Sequence, residues 1–367
     1  MSGGAGPEVV FVVSDGIRGH ENQSKGIAWW LSELGGASVE LLTMPKLSGW
    51  PRFLWYKIRS RSLKNSEPDV CRKWLESVPE GEGLLRDVEN TLENSSVEAE
   101  DVLFVSAGSS AAPWCLALAR AAGGKCCTIM TPSVLGTKPF DLAIVPEHDF
   151  PESAPNTLVT LGAPNMIRPD LLEEESRKLS KMYPPTGSER WAILLGGDDA
   201  NYTLSPSWIE GTIPDILNDA EKAGADVYIT TSRRTSPEAE EEIINIVKDR
   251  SSVRALILAS REEWNPVPGM LGLCGKVFCT EDSVSMISEA VTAGCEVEIL
   301  RVERKRNIRR SLQGATRCLV SKGFIPRKFL WGVPRFDMMI DSFGRIDEKD
   351  FNEAKKSANW VIKRWII

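Results

Sequence analysis

The sequence predicts an α/β protein with two Rossmann-like halves, each built on a parallel sheet, and three observations lead to this prediction. Short apolar runs alternate with stretches of helical spacing, which is the pattern of strand–helix–strand units. Loops of small and polar residues follow the runs, as at the ends of parallel strands. The 367 residues exceed what one ordinary core accommodates. The predicted strands are 9–13, 39–42, 102–105, 126–130, 142–145 and 158–161, and then 191–195, 227–230, 253–258, 277–279 and 297–300.

The composition limits the class of protein and the groups that it could bind. Hydrophobic residues make up 42% and charged residues 26% of the chain, as in soluble globular proteins. The formal net charge of −7 argues against a nucleic-acid partner. The eight cysteines form no CxxC pair, which favours free thiols in a reducing compartment. Because His20 and His148 are the only histidines, a poly-histidine metal site is excluded, and we expect neither a metal nor a cofactor.

We expect a cytoplasmic chain of two domains, soluble or peripheral on a membrane. No apolar run approaches the about 18 residues of a membrane span, and the N-terminus lacks the basic and apolar regions of a signal peptide. Segment 169–188 is highly charged and then contains Pro and Gly, which is typical of a linker. The prediction is a first domain over 1–168, this linker, a second domain over 189–345, and a final helix over 346–367 that packs back toward the first domain.

The loop after the first predicted strand carries the first candidate for catalysis. It lies at the carboxyl end of that strand, where α/β sheets bind ligands. His20 lies there with glycines and Asp15, and histidine's ordinary pKa near neutrality suits a general base. A helix-capping or structural histidine is an equally good interpretation of the spacing. A second small-residue loop follows at 106–110, and His148, between two carboxylates, is the other histidine candidate.

In the second half, four loops at strand ends carry groups that suit a nucleoside diphosphate. Two adjacent glycines allow close approach of the backbone to a ligand. The loop 231–237 supplies hydroxyls and two guanidinium groups that match diphosphate oxygens. Small polar residues after the strand 277–279 are good N-caps, and the helix that they open attracts phosphate at its start. The predicted site comprises Gly196, Gly197, Ser232, Arg233, Arg234, Thr235, Asn265, Thr280, Asp282, Ser283, Ser285, Met286 and Glu289.

Ordinary turn chemistry is the alternative for each of these loops, and taken singly each loop favours it. Four such loops in succession on one predicted sheet favour a binding site. Other nucleotide-binding patterns are missing from the sequence. It contains no GxxxxGK[ST] loop, and the glycine spacing at 16–19 is too short for GxGxxG, so P-loop and nicotinamide enzymes are disfavoured. There is also no GxSxG nucleophile elbow.

Two basic stretches would suit contact with an anionic membrane surface if the acceptor were a lipid. Segment 50–64 interleaves tryptophans and other aromatic residues with arginines and lysines, as in a helix that lies in a membrane interface. A core-facing helix with a solvated basic face is the alternative. The second stretch, 301–310, contains arginines and a lysine beyond the last predicted strand.

Six short motifs recur at the predicted strand ends and helix starts. They are SDGIRGHENQ at 14–23, PEHD at 146–149, GAPN at 162–165, TSRRT at 231–235, NP at 265–266 and TEDSVSMISEA at 280–290. Together they resemble the mitochondrial-fission family named after the plant "elongated mitochondria" protein, whose many bacterial members are classed as glycosyltransferases. The resemblance extends from about residue 9 to about residue 335, and the last motif is the most specific.

This resemblance implies a GT-B glycosyltransferase with two facing Rossmann-like domains. The second domain would bind a nucleotide-sugar donor and the first a glycan or lipid-linked acceptor, with no obligatory metal. His20 would be the base and Asp15 would orient it. A non-catalytic adaptor at a membrane and a nucleotide-sugar epimerase are the alternatives. The residues that the resemblance places at the acceptor are Gly16, Gly19, Asn22, Gln23, Ser109 and His148.

Overall fold

The structure, a computed structural model, describes most of the chain as two compact units. The described residues are 6–45, 56, 58–65, 67–149, 151, 153–199, 201–305 and 351–365, and the side chain of residue 148 is not among them. The first unit is Met1–Met166 with Asn352–Ile367, and the second is Ile167–Phe351. Within the described ranges, no helix has the length and apolar character needed to cross a membrane.

The first unit is built on a six-stranded parallel sheet. Its strands are β1 Val9–Ser14, β2 Ser38–Thr43, β3 Val102–Ala107, β4 Lys125–Ile129, β5 Leu142–Pro146 and β6 Thr157–Thr160. Their order is β2-β1-β3-β4-β5-β6, and every pair is parallel. The chain moves to one side of β1 for β2 and to the other side for β3. The carboxyl ends of β1 and β3 therefore form the switch point at which such sheets bind ligands.

Helices cover both faces of this sheet, which is why β1 and β3 are buried along their whole length. Ile27 and Leu31 of one helix pack on one face, while Trp114 packs on the other with its ring centroid 5.2 Å from that of Trp74. The helices of this part of the chain are α1 Arg18–Gly35, α2 Pro68–Glu76, α3 Gly81–Ser95 and α4 Gly108–Ala122.

The second unit repeats the architecture with a five-stranded parallel sheet. Its strands are β7 Arg190–Leu194, β9 Asp226–Thr230, β10 Val253–Ile257, β11 Lys276–Thr280 and β12 Glu296–Leu300, while β8 Tyr202–Thr203 and β13 Glu303–Arg304 form a small antiparallel pair. Its helices are α5 Pro169–Met182, α6 Pro206–Ala223, α7 Pro237–Val247, α8 Val267–Leu273 and α9 Val284–Thr292. The order β10-β9-β7-β11-β12 places a second switch point between β7 and β11. The predicted parallel α/β architecture is thus confirmed.

The segment expected to be a linker, 169–188, contains helix α5 instead. This helix packs closely against α8. A Cβ added to Gly272 of α8 would lie 2.4 Å from the carbonyl oxygen of Leu172 of α5, so only glycine fits at this contact. Leu179 is fully buried in the core of the second unit. The many charged residues of α5 cover its exposed face and hide this narrow apolar stripe in the sequence.

The final helix, α10 Glu353–Trp365, packs against α1 in the first unit. Its first residue is tied to the sheet region, since the backbone N–H of Leu161 donates to Oε1 of Glu353 at 3.2 Å. At its other end, Nζ of Lys125 lies 4.1 Å from the ring centroid of Trp365. The helix thus completes the apolar core on the α1 face.

The two basic stretches are described only in part, since 46–55, 57 and 306–350 lie outside the described residues. In the first stretch, Tyr56 and Leu63 are buried, while Ile58 is 56% exposed beside exposed basic residues. Tyr56 therefore follows the core-facing alternative. In the second stretch, Nη2 of Arg304 is 2.8 Å from the Glu281 carboxylate and Nζ of Lys305 is 3.4 Å from that of Asp198.

Candidate functional site

The switch point of the first unit brings His20 and Asp15 together. Nδ1 of His20 lies 2.9 Å from Oδ2 of Asp15. The Asp15 side chain is 3% exposed, whereas 27% of the His20 side chain reaches the surface. A carboxylate at Nδ1 favours the tautomer that donates from Nδ1, which leaves Nε2 able to accept a proton. The pair therefore has the arrangement of an oriented general base.

Further hydrogen bonds hold the Asp15 carboxylate. Oγ of Ser110 donates to Oδ2, and the backbone N–H of Ile17 donates to Oδ1 at 3.1 Å. Burial by itself raises the pKa of Asp15, but hydrogen bonds from His20 and Ser110, attraction to His20 and the Ile17 N–H outweigh burial and keep this pKa below its ordinary value. Asp15 is consequently ionised at neutral pH, as the partner of an imidazolium must be.

Gly108, at the start of α4, forms the surface on which the His20 ring lies. Its φ of +84° is in the region that favours glycine, and a Cβ there would lie 2.5 Å from Cε1 of His20 and 2.7 Å from its Nδ1. Only glycine therefore leaves room for the imidazole in this position. The small-residue loop was expected near a ligand, but its contact with His20 was missed because no periodicity in the sequence reports it.

The residues that the resemblance placed at the acceptor lie along the same sheet edge in the first unit. Gly16 turns the loop with a φ of +75°, and Gln23 is buried in α1 with Oε1 making no hydrogen bond to the described chain. Oγ of Ser109 accepts a hydrogen bond from the backbone N–H of Ser133 at 2.9 Å. The remaining three are Gly19 and Asn22, both in α1, and His148, which lies in a short helix after β5 and whose side chain is outside the described part.

In the second unit, hydrogen bonds join the loops that follow β7, β9 and β11. The backbone N–H of Gly196 donates to Oγ1 of Thr280 at 2.7 Å, and that of Gly197 donates to Oδ2 of Asp282 at 2.9 Å. Oγ1 of Thr235 donates to the Gly196 carbonyl. The structure therefore brings together residues from three of the four loops predicted to bind a diphosphate.

The two adjacent arginines of this site have different surroundings. Arg234 donates from Nη2 to Asp282 at 2.7 Å and from Nη1 to the carbonyl of Gly197 at 3.0 Å. The Asp282 side chain is fully buried, whereas 38% of the Arg234 side chain is exposed, so only the carboxylate end of this ion pair is shielded from water. The side chain of Arg233 is exposed and makes no hydrogen bond or ion pair with the described residues. Arg234 thus holds the loops together, while Arg233 is available to a ligand.

The pair Gly196–Gly197 is packed against the protein itself. A Cβ on Gly196 would lie 2.1 Å from Oδ2 of Asp282, and one on Gly197 would lie 2.2 Å from the carbonyl carbon of Arg234. The absence of side chains was expected to admit a ligand. The structure gives an additional reason, since glycine is what allows the three loops to approach one another.

Helix α9 begins at this network without a side-chain cap. Ser283 occupies the N-cap position but makes no capping hydrogen bond, and the carboxylate of Asp282, another predicted cap, faces Gly197 and Arg234 instead. The backbone N–H groups of the first helical turn, which includes Ser285 and Met286, carry the positive end of the helix dipole. Glu289 is buried one turn further along α9.

The structure differs from the sequence prediction at two further positions, one predicted to belong to the site and one not predicted. Asn265 stays outside the network, and its Oδ1 accepts the backbone N–H of Val267 at 3.4 Å. Glu240 of α7, which no sequence pattern singled out, is buried and accepts hydrogen bonds from the hydroxyls of Thr231, at 2.7 Å, and Ser260. Its acidic neighbours on the helix surface concealed it. Ser232 stabilises the turn of its own loop, since its backbone N–H donates to Oγ1 of Thr235 at 3.0 Å.

Two Rossmann-like units in one chain are the architecture of the GT-B class of protein folds, and one solved structure supports this assignment. A UDP-GlcNAc 2-epimerase from Methanocaldococcus jannaschii is similar with a TM-score of 0.52 at 10% identity, over 98% of this chain and 99% of that one. A glycosyltransferase from Rickettsia africae ESF-5 gives a TM-score of 0.46 at 9% identity over 98% and 99%. At such identities the likeness concerns the fold alone.

The sequence profile described as "Mitochondrial fission ELM1" matches residues 18–365, and the chain belongs to this family. The resemblance drawn from the motifs is thereby confirmed. Among curated proteins, none matches the chain. In the described part of the chain, no group of three or more His, Cys, Asp or Glu side chains is arranged to hold a metal ion.

Proposed function

We propose that this protein is a glycosyltransferase that moves a sugar from a nucleoside-diphosphate sugar to a hydroxyl group, without a bound metal or cofactor. The observation that carries the proposal is the exposed guanidinium of Arg233, which has no partner in the described chain. It belongs to the loop that Arg234 and Asp282 fix beside the start of α9. An unpaired cation and the open start of a helix suit a diphosphate.

The chemistry of each site follows from its charges. When the glycosidic bond to the diphosphate breaks, negative charge grows on the leaving phosphate, and Arg233 with the first N–H groups of α9 would stabilise it. Nε2 of His20 would take the proton from the acceptor hydroxyl. The buried, ionised Asp15 would then stabilise the imidazolium that forms. Glu289 and Asn265 would bind the ribose or the base, and Ser285, Ser232 and Thr235 would line the diphosphate.

Thermal unfolding with a series of nucleoside diphosphates tests the donor site. We expect one of them to raise the melting temperature of the wild-type chain by several degrees, because a ligand that binds only the folded state stabilises it. Arg233→Ala should remove most of this shift. Arg177→Ala is the matched control. Arg177 is 69% exposed on α5, so this substitution removes the same charge at a position outside the three loops. Equal shifts in both variants would contradict the role of Arg233.

Incubation with the matching nucleotide sugars then separates the three candidate functions. A transferase releases the nucleoside diphosphate and passes the sugar to an acceptor hydroxyl, or to water if no other acceptor is present. One-dimensional proton NMR spectra and nuclear Overhauser spectra identify both products. An epimerase changes the configuration of a sugar that remains attached to its nucleotide. A non-catalytic adaptor leaves all the nucleotide sugars intact, and this result would overturn the proposal.

We further propose that the acceptor is a glycan or a lipid-linked glycan at the cytoplasmic face of an anionic membrane. The support is the exposed Ile58, which lies beside the exposed cations Arg61 and Lys64. We expect the protein to sediment with phosphatidylserine vesicles at low salt and to remain in solution with neutral vesicles. Arg61→Glu with Lys64→Glu should weaken this binding, whereas Lys222→Glu, on α6, should weaken it less. Failure to bind anionic vesicles at low salt would refute the membrane contact.

A further inference from the structure

The Asp15 carboxylate depends on a side chain from the first turn of α4, the helix that follows β3. Its Oδ2 atom accepts hydrogen bonds from both His20 and Ser110, whereas the one donor to Oδ1 within the described ranges is the backbone N–H of Ile17. Since 3% of the Asp15 side chain is exposed, water has little access to replace a lost bond. The Ser110 hydroxyl and the His20 imidazole therefore share one oxygen of a carboxylate that is almost wholly buried.

Ser110 is held in turn by a buried tyrosine. The hydroxyl of Tyr56 donates to the carbonyl of Ser110, and Tyr56 is 2% exposed, with its ring centroid 5.9 Å from that of Trp74. Burial raises the pKa of Tyr56 well above its ordinary value, with the nearby charge of Asp15 acting in the same direction, so the hydroxyl stays protonated and remains a donor. Three separate parts of the chain thus form one line of hydrogen bonds that ends at His20.

We propose that Ser110 is a positioning residue for the His20–Asp15 pair and that Tyr56 anchors Ser110. The hydroxyl of Ser110 fixes the rotation of the carboxylate, so that Oδ2 stays opposite Nδ1 of His20. That contact in turn fixes the imidazole tautomer with its proton on Nδ1 and its acceptor at Nε2. Without the hydroxyl, the carboxylate keeps the Ile17 N–H and the imidazole as partners, so it rotates more easily and the preference of the imidazole for one tautomer weakens.

The catalytic meaning of this arrangement rests on the proposed function, but the arrangement itself is measurable without turnover. The chain contains only two histidines, His20 and His148, so a protein labelled with ¹⁵N-histidine shows two imidazole rings in a long-range ¹H–¹⁵N spectrum. The variant His148→Asn identifies the signals of His20. The two ring nitrogens report directly which of them carries the proton.

Ser110→Ala is the decisive variant. In the wild type, we expect the His20 signals of a ring protonated at Nδ1. In Ser110→Ala, we expect them to move toward the average of a mixture of tautomers, while Ser110→Thr, which keeps the hydroxyl, retains the wild-type signals. Ser109→Ala is the matched control, because it removes a hydroxyl from the same helical turn. The hydroxyl of Ser109 accepts the backbone N–H of Ser133 and does not contact Asp15. Tyr56→Phe should give a smaller change than Ser110→Ala in the same direction.

Identical His20 signals in Ser110→Ala and the wild type, in proteins with the same melting temperature, would overturn the proposal. If a nucleotide sugar is turned over, Ser110→Ala should lower kcat by about tenfold with little change in the donor KM, because an imidazole in the wrong tautomer cannot act as the base. If none is turned over, the proposed function fails, and the spectra still decide whether Ser110 positions the pair.

Discussion

Gly197→Ala is expected to lower the free energy of unfolding by about 2–4 kcal/mol and to abolish binding of a nucleoside diphosphate. The added Cβ would lie 2.2 Å from both the carbonyl carbon and the carbonyl oxygen of Arg234, and 2.4 Å from the nitrogen of Thr235. All three are backbone atoms, so no side-chain rotation relieves the contact. The loop after β7 must therefore move away from the loop after β9.

This movement would break the hydrogen bonds that define the site. The Gly197 N–H donates to Asp282 at 2.9 Å, the Gly197 carbonyl accepts from Arg234 at 3.0 Å, and the N–H of Asp198 donates to the Arg234 carbonyl at 3.0 Å. Without them, Asp282 remains a buried carboxylate that has lost a donor, which is costly. Chemical denaturation measures the stability, and the thermal shift with nucleotide measures the binding.

Gly211→Ala is the matched control for this prediction. Gly211 is exposed in α6, and a Cβ there would contact nothing within 4 Å. Alanine should therefore stabilise the protein by about 0.5–1 kcal/mol, since it favours the helix and restricts the unfolded chain. If Gly197→Ala were as stable as Gly211→Ala, the close approach of the three loops would not exist in solution.

Gly108→Ala is expected to displace His20 and to lower sugar transfer by about a hundredfold or more, as removal of a general base does. The added Cβ would lie 2.7 Å from Nδ1 of His20 and 2.9 Å from its Nε2. The ring is the far end of a flexible side chain, so it would swing away from Asp15 rather than force the backbone apart. Because the ring would then lose its contact with Asp15, the ¹⁵N signals of the His20 ring nitrogens should also change.

The backbone contribution at Gly108 needs its own control, because its φ of +84° is unfavourable for alanine. Gly136, in the same unit, has a φ of +68°, and a Cβ there would meet nothing within 4 Å. We expect both alanine variants to lose about 1–2 kcal/mol of stability. Only Gly108→Ala should alter the His20 spectrum and the turnover. Equal effects of both variants on His20 would show that backbone strain, and not contact with the ring, is responsible.

Much of the fold was predictable from local patterns, because each strand and each strand-end loop is a continuous stretch of sequence. The valines of β1 and the loop with His20 that follows it illustrate this, as do the small polar residues that open α9. Segment 169–188 misled the prediction, because α5 buries only a narrow stripe. For Tyr56 the sequence left two interpretations open, since aromatic residues among arginines are typical of both an interface helix and a core-facing one, and burial of the side chain decides for the core.

The sequence by itself determined the α/β class, the strand-end loops and the residue types that the proposed chemistry requires. Tertiary structure alone decided the partners: Ser110 meets Asp15 from 95 residues away, and Gly197 meets Asp282 from 85 residues away. It also decided that Arg234 is paired, while Arg233 has no hydrogen-bond or ion-pair partner among the residues that the structure describes. The physical reason is that strand order, which no local pattern records, brings distant loops to one edge of a sheet, and hydrogen bonds of about 3 Å select among residues that look equivalent in sequence.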